Sequence, residues 1–359
     1  MNSQKFNDLY RAYGYRKFKM SKFEPYDLYS DYRDFLTSSQ IITFSDLDGT
    51  LLALKPDVTL SIMKNNNGGE EKVYYNENVY RAKNHHYREI QQVGVECVGE
   101  IDAYCEAEIL MLAARSLSLI SGRYVLRVSD AGFLQKFLTA MRLPKKTADQ
   151  VLGLFSTRNG AGLEKLRAEG SISDAAAQQL REMMDLFLPM EQGIEAIRRY
   201  DIIGDTVRHL EEVAETLKAF GVIDNIYLDF SLVNSMDYYN KIIFQGAVPE
   251  IPYEILFGGR YDRLPQNMGK NVGAIGFAVY MDEIDNYISH RKKIDVDYLI
   301  FYSGEGDTIA RMASVSARLT AEGLSVRTVR ENLRDAMQQK PRAKYELSLE
   351  EAEAEVAKL

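Results

Sequence analysis

The dipeptide Asp48-Gly49 stands between two short apolar runs, residues 41–44 and 51–54. Glycine reaches positive φ without a Cβ clash, so this pair can close a tight reversal and make the two runs neighbouring antiparallel strands. From residue 72 to 99 the chain stays strand-rich. Short runs at 73–75 and 79–81 precede a long one at 87–98, where Ile90, Val93, Val95 and Cys97 stand among polar residues. Strand–helix–strand alternation is scarce in the first 130 residues, which argues against a parallel sheet. The expected class is α+β: a mostly antiparallel sheet with helices.

The remaining punctuation divides the chain. Residues 26–36 read as a helix with Tyr29, Tyr32 and Leu36 on one side, and 58–64 as a short helix before the NNNGG loop at 65–69. Asp102 is placed to cap a helix over 103–117, and 124–128 reads as a strand. From Gly132 to about Phe220 the pattern is almost entirely helical. Strands resume at 226–230, 241–245, 253–257 and 274–279, with a helix at 281–289. Residues 298–302, 307–322 and 325–329 form one strand–helix–strand unit. The expected organisation is a core in two parts, 1–131 and 222–290, around a helical insertion at 132–221. A small βαβ unit at 291–343 and a helical or disordered tail at 344–359 complete it.

A chain of 359 residues, 46% hydrophobic and 27% charged, suits a globular protein of two or three domains. A net charge of −8 with only small basic groups, at 291–293 and Lys145-Lys146, argues against a nucleic-acid partner. Cys97 and Cys105 fit neither a CxxC redox pair nor a zinc site and are expected to be reduced thiols. His85-His86 has no third ligand nearby and reads as a loop detail, so no metal is expected. The first residues lack a signal peptide's apolar segment, and no window approaches ~18 apolar residues, so a cytoplasmic protein without membrane contact is expected.

Two resemblances compete for residues 44–51. The string Asp46-Leu47-Asp48-Gly49-Thr50 is similar to the opening motif of haloacid-dehalogenase-type phosphatases, where the first Asp is the nucleophile and the second an acid/base beside Mg²⁺. That chemistry needs a parallel sheet and a further downstream acid. The best candidate, Gly204 to His209, lies in a helical stretch and offers His209 instead. A plain Asp-Gly turn is the preferred reading.

The second resemblance spans four ordered segments, and its context covers residues 25–130 and 222–290. Residues 44–59, ending Lys55-Pro56-Asp57-Val58-Thr59, resemble the hairpin of histidyl-tRNA synthetases that ends Arg-Pro-Glu-Gly-Thr. Residues 79–81 and 87–96 resemble motif 2 of class II synthetases, with Arg81 at the carboxylate and α-phosphate arginine and Gln92 and Glu96 at pocket positions. Residues 232–240 resemble the histidine-specific segment. Gly258 to Leu264 with 272–278 resemble the Gly-Gly-Arg-Tyr-Asp segment and motif 3. The unit at 297–329 is like the start of the anticodon-binding domain.

The resemblance implies a histidine-like pocket of Asp57, Thr59, Arg81, Gln92, Glu96, Tyr239 and Tyr261. Other readings of these residues stay open. Tyr238 or Tyr239 could be ordinary packing, Gln92 and Glu96 a solvated face, and Arg81 with Glu96 a structural ion pair. The groups that handle ATP have changed: Asn234 and Glu283 fall at phosphate-binding arginines, and Lys83 at the acid that reads adenine. Phosphoryl chemistry depends on positive charge at those points, so activation is expected to be lost. The chain therefore resembles the non-catalytic branch of the family, which implies a regulatory subunit of short-form ATP phosphoribosyltransferase. Its partner would be the catalytic subunit, its effector histidine, its self-association a dimer through residues 26–36 and the next strand, and its cofactors none. An active but divergent histidyl-tRNA synthetase, a synthetase-like protein with another partner, and the Asp46/Asp48 phosphatase are the alternatives.

Overall fold

The computed structural model describes residues 3–36, 41–83, 86–200, 204–233, 239–291 and 294–358. Contacts divide the chain into two compact units, Met1–Asp285 and Asn286–Leu359.

The first unit is built on a nine-stranded sheet. In chain order the strands of this unit are β1 (Arg16–Lys17), β2 (Phe23–Pro25), β3 (Thr43–Ser45), β4 (Leu51–Leu54), β5 (Glu71–Lys83), β6 (His86–Gly99), β7 (Val125–Asp130), β8 (Phe187–Pro189), β9 (Ile226–Asp229), β10 (Ile242–Ala247), β11 (Leu256–Arg260) and β12 (Gly273–Tyr280). The large sheet runs β1-β5-β6-β12-β11-β10-β7-β9-β8, while β2-β4-β3 form a small antiparallel sheet. Every neighbour in the large sheet is antiparallel except β1–β5 and β7–β9. This is the α+β arrangement expected.

The runs expected at 73–75 and 79–81 are one strand. β5 pairs with β6 in register from Glu71↔Val98 to Lys83↔His86, so polar residues 76–78 stay extended because the ladder satisfies their backbone. The strand expected at 253–257 begins later and takes in Gly258-Gly259. A side chain at Gly258 would strike Phe244, and one at Gly259 would strike Tyr239. Those glycines weaken a strand on propensity, yet tertiary packing requires them.

Behind the sheet lies the helix Ala103–Ile120, capped by Asp102, whose carboxylate accepts from the Cys105 amide at 2.8 Å. Residues 109–114 of this helix are buried, so it is apolar around most of its girth, as a central helix should be. The helical stretch contains Ala131–Ala140, Lys145–Ser156, Gly160–Ala168, Asp174–Asp185, Met190–Arg198 and Gly204–Ala219. It also contributes β8 to the edge of the large sheet. The helix expected over 26–36 is only a turn, Asp27–Ser30, and a 3₁₀ segment, Arg33–Phe35.

The second unit holds β13 (Val296–Tyr302), β14 (Val326–Arg330) and β15 (Ala343–Ser348), all parallel in the order β14-β13-β15. The helices Thr308–Ala321 and Leu349–Val356 share a core with it through Val315, Leu319, Ala352 and Val356. Residues 344–359, expected as a helical or disordered tail, instead begin inside a strand. Ser348 then starts the last helix with a reciprocal capping box to Glu351.

Candidate functional site

Glu96 is the centre of the site. It sits on β6 and is 2% exposed. Its carboxylate fits there because β12 carries Gly276 opposite it: a Cβ at Gly276 would lie 1.7 Å from Glu96 Oε2. Two hydroxyls from distant segments hold it. Thr59 Oγ1 donates to Oε1 at 2.8 Å, and the Tyr261 hydroxyl donates to Oε2. Burial pushes the Glu96 carboxyl up to about 8, against the opposing pull of those two donors, with the nearby charge of Asp57 adding to the rise.

Thr59 opens the helix Thr59–Asn65, and Asp57 precedes it. Asp57 Oδ1 accepts from the Leu60 amide at 3.0 Å, satisfying one of the helix's free N–H groups. Asp57 Oδ2 meets Arg81 Nη2 at 3.2 Å. Arg81 also donates to the Pro56 carbonyl at 2.6 Å and to the Tyr280 hydroxyl at 3.3 Å. Burial raises the Asp57 carboxyl, and the Arg81 charge draws it back. Beside this pair, the Lys55 ammonium is buried and donates to Glu77.

Tyr239 and Tyr261 form an aromatic corner, with ring centroids 6.5 Å apart and planes tilted 59°. Burial raises the Tyr239 hydroxyl, and the charges of Glu96, Asp57 and Arg81 all reach it, so these groups share one electrostatic environment. Gln92 is buried on β6, four residues from Glu96 and on the same face by strand alternation, opposite Tyr280. Gly94 between them leaves room for the Tyr75 ring, whose Cζ would lie 2.6 Å from an added Cβ.

Three other readings are resolved by the geometry. Arg81 pairs with Asp57 rather than Glu96. Gln92 and Glu96 are buried, so they do not form a solvated face. Asp46 and Asp48 are turn residues. Asp46 accepts from the Leu47 amide and Asp48 from the Thr50 amide, both are exposed, and Gly49 has φ +86°. Glu283 accepts from the Tyr253 hydroxyl at 2.8 Å, and its neighbour Asp282 accepts from the Gln91 amide at 2.9 Å. Asn234, Tyr238 and His85 lie outside the described residues, as does the Lys83 side chain.

Sequence reasoning missed a buried charged chain next to Tyr261. Arg260 donates through Nε to both Asp262 oxygens, at 3.0 and 2.9 Å, and through Nη1 to Glu106 and the Ile101 carbonyl, both at 2.8 Å. Glu106 in turn meets His209 Nε2 at 2.6 Å. The partners are separated by up to 159 residues in sequence, so no local spacing could reveal them. Tyr75 and Tyr280 were also missed, being two of 23 tyrosines without a distinguishing pattern.

A family model described as Histidyl-tRNA synthetase matches residues 2–284. An ATP phosphoribosyltransferase regulatory subunit from Thermoanaerobacter pseudethanolicus is 29% identical over 305 residues, spanning 82% of this chain and 80% of its own length. Among solved structures, the ATP phosphoribosyltransferase regulatory subunit/histidyl-tRNA synthetase from Bacillus halodurans superposes with a TM-score of 0.72 at 21% identity, covering 96% of this chain and 92% of its own. A chain of the ATP phosphoribosyl transferase (HisG:HisZ) complex from Thermotoga maritima gives 0.62 at 17% identity, covering 77% of this chain and 95% of its own. Both structural likenesses bear on the fold.

Proposed function

The chain belongs to the histidyl-tRNA synthetase family, and from that premise we propose that it is a regulatory subunit of ATP phosphoribosyltransferase, the first enzyme of histidine biosynthesis. It binds the short-form catalytic subunit in the cytoplasm, activates it, and confers inhibition by histidine. Catalysis resides in the partner. The similar regulatory subunits support the choice of partner.

One observation carries the reading. Two hydroxyls from distant segments, Thr59 and Tyr261, meet on the buried Glu96 carboxyl, while the position expected to grip the γ-phosphate holds an acid, Glu283. An imidazole offers a donor and an acceptor, and Glu96, Gln92 and the tyrosine hydroxyls can meet both. Asp57 and Arg81 suit the amino and carboxylate groups. Arg81 pairs with Asp57, and the buried Lys55 pairs with Glu77. Unlike charges ~4 Å apart near a surface attract by about 4 kcal/mol, so an acid at a phosphate contact reverses a sizeable term.

The small sheet supports self-association. Phe23 and Phe44 pack edge to face at 5.5 Å, and with Leu47 and Leu51 they are the exposed apolar residues of β2, β4, β3 and the turn. Register puts Phe23 and Phe44 on one face of this sheet and Leu51 on the other, so the exposed Phe23–Phe44 pair is the proposed contact and a second copy its proposed occupant.

The deciding assay is ATP phosphoribosyltransferase activity of a short-form catalytic subunit from the same organism, with and without this protein, titrated with histidine. Activation that histidine reverses is the expected result. No binding and no activation sinks the regulatory reading, and histidine-dependent ATP–pyrophosphate exchange then tests the synthetase alternative. Histidine can act only by binding one assembly state better than another.

A further inference from the structure

We propose that Lys270 is a positioning residue of the histidine pocket, fixing the far end of the helix whose first residue, Thr59, holds Glu96. The proposal rests on the pocket reading given above. The ammonium of Lys270 donates to the carbonyls of Met63 and Asn66, and reaches that of Lys64 at 3.4 Å. These carbonyls belong to the end of Thr59–Asn65 and the residue that follows it. Helix ends leave carbonyls unpaired and carry partial negative charge, and an ammonium has three donors to offer.

A seven-residue helix is too short to hold itself, so its place is set by what grips its ends. Asp57 grips the first turn through the Leu60 amide. Lys270 grips the last. Both charges match the helix dipole. Asn66 is buried, and its side chain ties the following loop to Gly69 and Glu71. Its carbonyl is left for Lys270.

Lys270 also belongs to the segment that carries Tyr261. Residues 261–273 run from the Tyr261 hydroxyl on Glu96 Oε2, past Leu264 and Met268 packed in the same core as Leu60, Ile62 and Met63, to β12. A turn at Gly269, φ +74°, precedes Lys270, whose amide returns to the Pro265 carbonyl at 2.9 Å. One segment therefore supplies one donor to Glu96 directly and sets the place of the element that supplies the other. Desolvation holds the Lys270 ammonium below its ordinary range, with the charge of Glu71 opposing.

The test is calorimetric titration of the full chain with L-histidine, beside amide hydrogen exchange across residues 60–66. In Lys270→Met the affinity should fall about tenfold, the scale of one well-placed hydrogen bond to a charged group. Exchange at 60–66 should rise while that of β12 stays unchanged, and Lys270→Arg should restore most of both. Should Lys270→Met fail to fold, Lys270→Gln, uncharged but polar, must show the same loss. Binding within twofold of wild type, or equal losses in Met and Arg variants with unchanged exchange, overturns the proposal. If the wild-type protein itself does not bind histidine, the pocket reading fails separately, and the exchange at 60–66 still decides whether Lys270 holds the helix.

Discussion

At the scale of single residues, Glu96 makes a pH prediction. Its folded-state value is raised from 4.5 to about 8, so folding takes up a proton between those values. Its contribution is therefore full below about pH 4.5 and is lost as the pH rises to about 8. Chemical denaturation of ligand-free protein should show stability falling across that window by up to ~1.4 kcal/mol per pH unit from this group. Glu96→Gln should flatten the slope, and an unchanged slope would mean that another group is responsible. His209 behaves with the same sign for a different reason. Its hydrogen bond to Glu106 raises its value above that of a free imidazole, outweighing desolvation. Asp130 and Lys241 also face it, with opposing effects. The pair's contribution is whole below about pH 6.5 and disappears as the pH passes through the folded value above it. His209→Ala should cost about 1–3 kcal/mol at pH 6, less at pH 9.

At the scale of elements, the site depends on backbone that comes close enough to exclude a side chain. Gly276→Ala would drive a methyl into Glu96 Oε2 and the Val95 carbonyl, at 1.7 and 2.4 Å. Overpacking of this kind costs about 1–3 kcal/mol or more. Thermal denaturation should therefore show a clear loss, and histidine binding should fall with it. Asp46→Asn tests the opposite case. Asp46 is exposed at the turn, so the change should stay within about ±0.5 kcal/mol in denaturant melts, and phosphate release from phosphomonoesters with Mg²⁺ should be absent before and after it. The elements themselves were legible where pattern and tertiary context agreed: the Asp48-Gly49 hairpin, the Asp102-capped helix and the strand–helix–strand unit at 298–329. They were misread where context overrode propensity. Polar residues 76–78 stay in β5 because a long partner strand pairs them, and Gly258-Gly259 stay in β11 because two aromatic rings need the space. Residues 26–36 have a helical stripe but form little more than a turn, since Tyr29 packs instead into the core beside β4 and the Thr59 helix.

At the scale of the whole molecule, the exposed Phe23–Phe44 pair on the small sheet should govern assembly. Phe23→Asp together with Phe44→Asp should convert a dimer to a monomer by light scattering with little change in thermal stability. A dimer that survives both changes places self-association elsewhere. Among the described residues, no helix is long and apolar enough to cross a membrane. What the sequence alone determined was the α+β class, the family resemblance and the candidate pocket residues, because turn chemistry, alternation and ordered motifs are local properties of the chain. Only the tertiary structure decided which acid meets which donor. Arg81 could have answered Glu96 or Asp57, and the fold gives it Asp57 while Thr59 and Tyr261 take Glu96. Lys270, Arg260 and His209 acquired their roles the same way. The Lys270–Asn66, Arg260–Glu106 and His209–Glu106 pairs span 204, 154 and 103 residues, and such pairings exist only once the sheet has brought those segments within hydrogen-bonding distance.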